Sequence, residues 1–425
     1  MTTPVASSAS HMAAPASSEF RLGGRVLAAA LLGTACGASP LPFNVLPLVM
    51  GPIHDEFGWS FAAISVGVTI FGTTASLLAP VIGGLADRIG VRAVGLWSLL
   101  AFGIVFASFY FVPGSLAGWY AFWLVLGIIG IGSTPVTWSR AISMWFARHR
   151  GLALGIMLLG TSLAAIIVPQ IAARAILADG WRLAFPAVAL LPLLVALPVT
   201  YFWFREPRPE EAPSDIKSAD GSIAGLTLGE AIRGYRFWML IGSIVLISIA
   251  YGGAHIHMAQ IVGLHGFTPQ TGASVLGVVA LGILTGRVLV GILFDRVWAP
   301  GVAFASMLLP ALACTLLMGT GTSLTLLMTG GFLLGFAAGA ESDVIAFLTA
   351  RYFGIRHYGR IYGMLYMPFG IGSGISPILY GAVRDRTGSY DAMLMAAIVM
   401  FAVGGAMLLT LGRYPTGEQR GHQNV

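Results

Sequence analysis

Four charged side chains lie inside long apolar stretches of this 425-residue chain: Arg140, Arg287, Glu341 and Asp343. A charge near the centre of a bilayer costs at least about 2.5 to 3.5 kcal/mol on insertion scales, so it normally faces a cavity or a partner. An arginine can hold a carboxylate through two parallel hydrogen bonds, and a carboxyl group in an apolar setting can exchange a proton near neutral pH. The four residues therefore predict a site for an organic anion and a proton.

Arg287 is the main candidate for binding the anion. It precedes Asp295 by eight residues, which places it about 12 Å from the end of its helix at about 1.5 Å per residue, near the middle of the membrane. The alternative is a structural ion pair with Glu341 or Asp343. Arg140 is a candidate second anion-binding group, or else a side chain that extends toward the cytoplasmic interface.

Glu341 and Asp343 are the candidate proton carriers. They are two residues apart, about 200° around a helix, so they point to different faces. We expect one acid to face the cavity while the other pairs with Arg287 or with a backbone group. His255 is a further proton candidate because an imidazole titrates at about pH 6.5.

Neutral residues in the same stretches are expected to line the cavity. His257 is a candidate substrate contact, but His255 and His257 have no third ligand at suitable spacing, so no metal site and no cofactor are predicted. No nucleophile and base are spaced for catalysis, so an enzyme is not predicted either. The other candidate lining residues are Asn44, Trp138, Tyr251, Gln260, Tyr362 and Tyr366.

Composition places these residues in an all-α membrane protein. Hydrophobic residues make up 57% of the chain, charged residues make up 9%, and the mean hydropathy is +0.85. An average soluble domain carries about 25% charged residues. The net charge of +6 then indicates which loops face the cytoplasm, and not a nucleic-acid partner. Cys36 and Cys314 lie far apart in apolar stretches, so no disulfide is predicted.

Twelve segments are long enough to cross about 30 Å of hydrocarbon, six on each side of a polar linker. Seventeen Arg and Lys residues fall on the side of both termini and the linker, and four fall on the other side. This imbalance predicts that both termini are cytoplasmic. Residues 1–20 lack the basic start and apolar core of a cleaved signal.

The predicted spans 1 to 12 are 25–50, 60–84, 93–113, 118–146, 151–177, 183–204, 237–262, 270–293, 300–320, 323–349, 360–383 and 391–412. The predicted domains are a disordered cytoplasmic tail (1–24), a first six-helix bundle (25–204), a cytoplasmic linker with a short surface helix (205–236), a second six-helix bundle (237–412) and a cytoplasmic tail (413–425).

The two sets of six spans are expected to be copies of one unit. The sequence Gly-Gly-Leu-Ala-Asp-Arg-Ile-Gly at 83–90 returns in weaker form at 290–296, so that Asp87 and Asp295 lie 208 residues apart. A duplicated six-helix unit predicts two pseudo-symmetric bundles with a binding site at their seam. Ala79 is the counterpart of Arg287, so we expect the second bundle to hold the substrate and the proton. Three further pairs of short motifs repeat at 207 or 208 residues: 58–60 with 266–268, 145–146 with 352–353, and 180–181 with 388–389.

The run from Gly83 to Arg92, between spans 2 and 3, resembles the signature of the major facilitator superfamily. Segments 56–60, 145–155, 180–182, 351–354 and 359–363 are similar to the branch that contains monocarboxylate porters and oxalate:formate antiporters. The resemblance covers about residues 25–412. It implies that these residues act in gating: Gly83, Asp87, Arg88, Arg92, Asp295 and Arg296.

The branch resemblance also implies transport of small organic anions, which are moved with a proton or exchanged for another anion. It implies that Arg287, in span 8, binds the carboxylate. Some members add an acid one turn earlier, where this chain has Ile283, or a lysine in span 1 or span 11, where this chain has none. We expect a monomeric proton symporter that imports an aliphatic or aromatic carboxylate across a bacterial inner membrane by alternating access. An organic-anion exchanger and a proton-linked drug exporter are the alternatives.

Overall fold

The computed structural model describes residues 17–208, 211, 224–319, 321 and 323–415, and these residues are almost entirely helical. The one isolated extended contact among them joins Gly225 to Gly354. Ten helices in this part of the chain are long and apolar enough to cross a membrane. The predicted all-α membrane fold is therefore confirmed.

Helix breaks divide several of the predicted spans. The first half contains α1 (Ser17–Ala35), α2 (Leu41–Phe57), α3 (Phe61–Ile89), α4 (Val91–Ser108), α5 (Leu116–Gly130), α6 (Pro135–Trp145), α7 (Arg150–Asp179), α8 (Trp181–Leu190) and α9 (Leu197–Trp203). The second half contains α10 (Leu228–Arg233), α11 (Tyr235–Ile256), α12 (Met258–Leu264), α13 (Pro269–Arg296), α14 (Ala299–Leu317), α15 (Leu324–Phe353), α16 (Tyr358–Thr387) and α17 (Asp391–Leu409).

Two of the twelve predicted spans are not among the ten apolar helices. Span 11 corresponds to α16, and span 1 is divided between α1 and α2. Pro40 and Pro42 stand at the start of α2, and proline starts a helix more readily than it continues one because it has no backbone N–H. The break in span 1 meets a second break, the 3₁₀ turn between α5 and α6, where Ser133 Oγ accepts the N–H of Ala38 at 3.0 Å.

The first helix begins at Ser17, eight residues inside the segment expected to be a disordered tail. The carboxylate of Glu19 explains this start, because it accepts the backbone N–H groups of Ala147, Arg148 and His149 at 3.1 to 3.2 Å. These bonds fix the first turn of α1 to the loop between α6 and α7. Residues 1–16 of the predicted tail lie outside the described residues.

The described part of the linker contains the expected short helix, α10. Thr227 caps it, since the Thr227 side chain accepts the N–H of Glu230 while the Glu230 carboxylate accepts the N–H of Thr227. Residues 209–210, 212–223 and 416–425 lie outside the described residues. The described part of the linker contacts the second half, where the N–H of Leu226 donates to the carbonyl of Phe353 at 2.7 Å.

The buried side chains divide the molecule into two ends. At the end that carries Asp87 and Asp295, one cluster of buried apolar side chains includes both halves, and we call this the closed end. At the opposite end each half has a separate cluster, and we call this the split end. The halves meet where α3 packs against α16 and α7 packs against α13. The two halves therefore share a buried apolar core at the closed end and have separate cores at the split end.

Candidate functional site

Two carboxylates join the halves at the closed end. Asp87 of α3 accepts backbone N–H groups at the start of α16, and Asp295 of α13 does the same at the start of α7. Negative charge at a helix N-terminus is stabilised by the unpaired N–H groups and the helix dipole. The hydrogen bonds to Asp87 come from Gly359 (3.0 Å) and Arg360 (2.9 Å), and those to Asp295 come from Gly151 (2.7 Å) and Leu152 (2.9 Å).

Glycines allow the backbones of the two halves to touch beside these caps. A Cβ atom at Gly83 would collide with the carbonyl of Gly359, and one at Gly291 would meet the carbonyl of Gly151 at 2.7 Å. Farther along α7, a Cβ atom at Gly155 would meet the carbonyl of Arg287 at 2.7 Å. The predicted gating motif therefore lies at backbone contacts between the halves.

Arg140 lies in the closed-end network and not beside Arg287. Its Nε is 2.8 Å from Asp87 and its Nη1 is 2.6 Å from Glu206, and its side chain is buried. Glu206 also accepts the N–H of Val91 at the start of α4, at 3.1 Å. Arg140 thus connects Asp87, which caps α16, to Glu206 just after α9.

The other residues predicted to act in gating lie at the same end. Arg92 donates to the carbonyl of Tyr201 at 2.7 Å, which ties α4 to α9. Arg88 and Arg296 are exposed. Arg296 lines a surface cavity of about 340 Å³ together with Arg148, His149 and Asp295.

Arg287 is buried where α13 meets α7. Its Nη1 donates to the carbonyl of Leu158 and to the hydroxyl of Thr161, the latter at 2.7 Å. Its Nε has no hydrogen-bond partner among the described residues, although the side chain is only 8% exposed. One edge of the guanidinium is therefore held by the first half, while the Nε edge makes no protein hydrogen bond within the described chain.

Asp343 faces the same seam from α15. It is fully buried, and a Cβ atom at Gly155 of the first half would lie 3.4 Å from its Oδ2. Asp343 and Arg287 interact electrostatically, but the described residues include no ion pair between them and no hydrogen bond to either oxygen of Asp343. The seam thus holds a buried cation and a buried acid that are close but not directly paired.

Glu341 faces the interior of the second half. It borders a small cavity between α11, α14, α15 and α17, with Ser243, Met307 and Leu408 among the lining residues. The described residues give its Oε1 no hydrogen bond. The two acids of α15 therefore point to different surroundings, and the one at the seam is Asp343.

Aromatic residues surround the seam on the side of the second half. Tyr251 and Tyr366 both interact electrostatically with Arg287. The ring of Tyr251 stacks on His255 at 5.3 Å, and Tyr366 packs against Phe369 at 5.3 Å. Two of the predicted lining residues, Tyr251 and Tyr366, are therefore placed near Arg287, and the predicted proton candidate His255 lies beside Tyr251.

Two other predicted substrate contacts have partners of their own. His257 lies at the break between α11 and α12, where its Nε2 is 3.1 Å from the carbonyl of Pro377 and its Nδ1 is 3.0 Å from the hydroxyl of Tyr390. Asn44 donates to the carbonyl of Pro40 at 2.8 Å, one turn back in the chain. Both residues stabilise breaks in their spans.

Sequence patterns did not identify Glu206, Leu158 or Thr161. Glu206 lies two residues after the end of span 6, and an acid so close to the end of a span is a usable signal for the partner of a buried arginine. Leu158 contributes a backbone carbonyl and Thr161 is one of many hydroxyl residues in apolar stretches, so neither carries a signal in one sequence.

The molecule has two helical halves that helix-capping carboxylates join at one end, and a buried cation lies at the seam between them. These features define a membrane transporter of the two-bundle class. The chain belongs to the major facilitator superfamily, whose family model matches residues 27–320. This confirms the resemblance that the sequence motifs indicated.

Similar proteins are found over most of the chain. The hexuronate transporter of Escherichia coli K12 is 22% identical over 412 residues, which span 90% of this chain and 92% of that protein. Monocarboxylate transporter 13 of Rattus norvegicus is 27% identical over 364 residues, which span 83% and 79%. The crystal structure of the human organic anion transporter MFSD10 has a TM-score of 0.71 at 18% identity and covers 91% of this chain and 99% of that one.

Proposed function

We propose that this transporter imports a small organic carboxylate together with a proton, by alternating access across a bacterial inner membrane. The observation that carries the proposal is Arg287, a buried guanidinium at the seam of the two halves whose Nε edge has no protein hydrogen bond among the described residues. The closed end is then the cytoplasmic end, in agreement with the seventeen basic residues that the sequence assigns to the cytoplasmic side.

The chemistry of Arg287 fits a carboxylate. A guanidinium presents pairs of N–H groups in a fixed plane that matches the two oxygens of a carboxylate, and it stays charged when it is buried. Leu158 and Thr161 occupy only Nη1, which leaves the Nε edge as the donor pair that we propose for a substrate carboxylate. Tyr251 and Tyr366 would form part of the wall around it.

Asp343 is the better placed of the two acids to carry the proton. A substrate carboxylate on Arg287 would lie near Asp343, and two anions near one cation favour protonation of one of them. The substrate and the proton would then bind together and leave together. Glu341, inside the second half, and His255, beside Tyr251, are second candidates.

The names of three similar proteins support an anionic substrate, since they specify hexuronate, monocarboxylate and organic anion. An organic-anion exchanger is the second candidate function. The charge of Arg287 favours this function. An empty carrier that opens the closed end must leave this buried cation without its acceptors on α7, whereas a carrier loaded with an anion keeps the cation paired.

Transport in liposomes tests the proposal. A melting-temperature screen of carboxylates on the purified protein first identifies a ligand, and its uptake is then measured with an imposed pH gradient. Uptake should depend on the gradient, be lost in Arg287→Gln, and show a KM raised about tenfold or more in Arg287→Lys, because lysine lacks the planar pair of donors. Arg174→Gln, at an exposed arginine near the end of α7, is the matched control.

Each alternative predicts a different result. Uptake only into liposomes that are preloaded with a counter-anion, with no response to the pH gradient, would establish the exchanger. Uptake of the carboxylate that is undiminished in Arg287→Gln would exclude the proposed site.

A further inference from the structure

The contact between α7 and α13 ends in a polar bridge. Nearest the closed end, Gly151 touches Gly291. Farther from that end, Gly155 touches the backbone of Arg287. The side chain of Arg287 then bonds to Leu158 and Thr161. The hydroxyl of Thr161 donates to the carbonyl of Leu158 at 2.9 Å and accepts from Arg287. One guanidinium nitrogen thus holds two acceptors on the other half of the molecule.

This bridge belongs to one conformation. Leu158 and Thr161, which α7 contributes, lie in the first half, and Arg287 lies in the second half. Opening the closed end must therefore separate Arg287 from them. A hydrogen bond to a charged group contributes more than one between neutral groups, and a buried charge that loses its acceptors is costly. The bridge therefore stabilises the state in which the closed end is closed.

We propose that Thr161, together with the Leu158 carbonyl, is a latch that holds Arg287 to the first half and sets which end of the transporter is open. Thr161 acts through Arg287 and is a positioning residue; the carboxylate binds the other edge of the guanidinium. The latch rests on the proposed function in one respect, that Arg287 also binds the substrate. The effect of the latch on conformation requires no substrate.

The latch is present at only one of the two seams. Under the 208-residue offset, the counterparts of Arg287, Leu158 and Thr161 are Ala79, Tyr366 and Phe369. The seam between α3 and α16 therefore has apolar or aromatic groups where the seam between α7 and α13 has a cation and a hydroxyl. Loss of the latch cannot be compensated by its pseudo-symmetric copy.

Distance measurements between the halves test the latch. Spin labels are attached at Arg25→Cys and Arg356→Cys, two exposed positions at the closed end of different halves, in a background with Cys36→Ala and Cys314→Ala. Without substrate, Thr161→Val should raise the ratio of open to closed molecules at this end by about tenfold, the effect of one hydrogen bond to a charged group. Thr161→Ser keeps the hydroxyl and should match the parent.

Two controls separate a latch from a general loss of packing. Thr285→Val removes a threonine hydroxyl whose hydrogen bonds among the described residues stay within its own helix, at 3.0 Å to the carbonyls of Leu281 and Gly282, and it should change nothing. Thr161→Val added to Arg287→Gln should produce no further shift, because the bond is already absent. An unchanged distance distribution in Thr161→Val, or equal shifts in Thr161→Val and Thr161→Ser, would overturn the latch.

The outcomes also separate the latch from the proposed function. If Thr161→Val shifts the distances while Arg287→Gln still transports the carboxylate, the latch stands and the carboxylate site is wrong. If Arg287→Gln loses transport while Thr161→Val leaves the distances unchanged, the carboxylate site stands and the latch is wrong.

Discussion

Arg140 and Arg287 are both buried arginines in apolar stretches, yet the groups that they bind carry different charges. Arg140 lies within 2.8 Å of one carboxylate and 2.6 Å of another, so its charge is neutralised. Arg287 is bonded to a carbonyl and a hydroxyl, which are neutral. Asp343 interacts electrostatically with Arg287, but the described residues include no ion pair between them, so the charge of Arg287 is less fully neutralised than that of Arg140. This difference favours Arg287 over Arg140 as the anion site that we propose.

The two acids of α15 should behave differently when neutralised. Asp343→Asn removes the acid that faces the seam, so we expect loss of accumulation driven by a pH gradient while exchange between preloaded liposomes persists. Glu341→Gln changes an acid inside the second half and should leave gradient-driven uptake within about twofold of the parent, a change of about 0.4 kcal/mol. Loss of gradient-driven uptake in Glu341→Gln alone would assign the proton to Glu341.

Glu19 should make stability depend on pH. Burial opposes ionisation of this carboxyl, but hydrogen bonds from Arg148, His149 and Ala147 outweigh it and lower the pKa of Glu19 below its usual value. A group with a lowered folded-state pKa stabilises the fold above its usual pKa, and this contribution disappears as pH falls through the folded-state pKa. The melting temperature of Glu19→Gln should therefore lie below that of the parent at neutral pH, with the difference shrinking below about pH 4.

Asp55→Asn is the matched control for Glu19→Gln, because Asp55 is exposed near the end of α2 at the opposite end of the first half. A difference in melting temperature between Glu19→Gln and the parent that is constant from neutral to acidic pH would show that Glu19 acts through packing and not through its charge.

Single residues could be identified from the sequence when they violated a general rule. The cost of a charge in a membrane singles out Arg287 and Asp343, and the structure places both at the seam. Their contacts could not be found in the same way. The partner of Arg140 at Glu206 depends on how α6 and α9 pack, and the partner of Arg287 at Leu158 is a backbone carbonyl, which every residue has.

At the scale of helices, apolar length predicted the elements but not their breaks. Spans 1, 4, 6 and 7 were each expected as one helix, whereas the structure interrupts them at 36–40, 131–134, 191–196 and 257, the third of these being a π-helical segment. A long apolar run stays apolar through a break, so hydropathy does not report it. The breaks are stabilised by contacts between distant elements, as where Ser133 bonds to Ala38.

Close helix contacts should be sensitive to a single side chain. A Cβ atom at Gly363 of α16 would collide with the carbonyl of Ala79 on α3, whereas one at Gly374, on the same helix, would meet nothing within 4 Å. Gly363→Val should therefore shift the spin-label distances at the closed end toward the open state, since forcing extra atoms into a packed contact typically costs about 1 to 3 kcal/mol. Gly374→Val is the control and should leave the distances unchanged; equal behaviour of the two variants would mean that the α3 and α16 contact does not limit opening.

At the scale of the whole molecule, the closed end is a duplicated structure. Asp87 and Asp295 are separated by 208 residues, and the N–H groups that they bind are separated by the same number. The glycine contacts follow the same rule. The equivalent pairs are Gly151 with Gly359, Leu152 with Arg360, Gly155 with Gly363, Gly83 with Gly291 and Ala79 with Arg287. Within these repeated backbone contacts, Arg287 stands where the copy has Ala79.

This symmetry predicts how the two capping carboxylates contribute to closure. Asp295→Asn weakens one cap and should shift the closed-end distances toward the open state, because an amide binds helix N–H groups less strongly than a carboxylate does. Asp87→Asn should produce a larger shift, since Asp87 also neutralises Arg140 at 2.8 Å. The double variant should shift the distances farther than either single variant, because the two caps lie at separate seams.

The control is Asp391→Asn at the split end, where the carboxylate binds the N–H of Gly319 at 3.0 Å. This variant should leave the closed-end distances unchanged. A shift in Asp295→Asn as large as that in Asp87→Asn would show that the Arg140 ion pair adds nothing to closure, and that the two halves contribute equally to the gate.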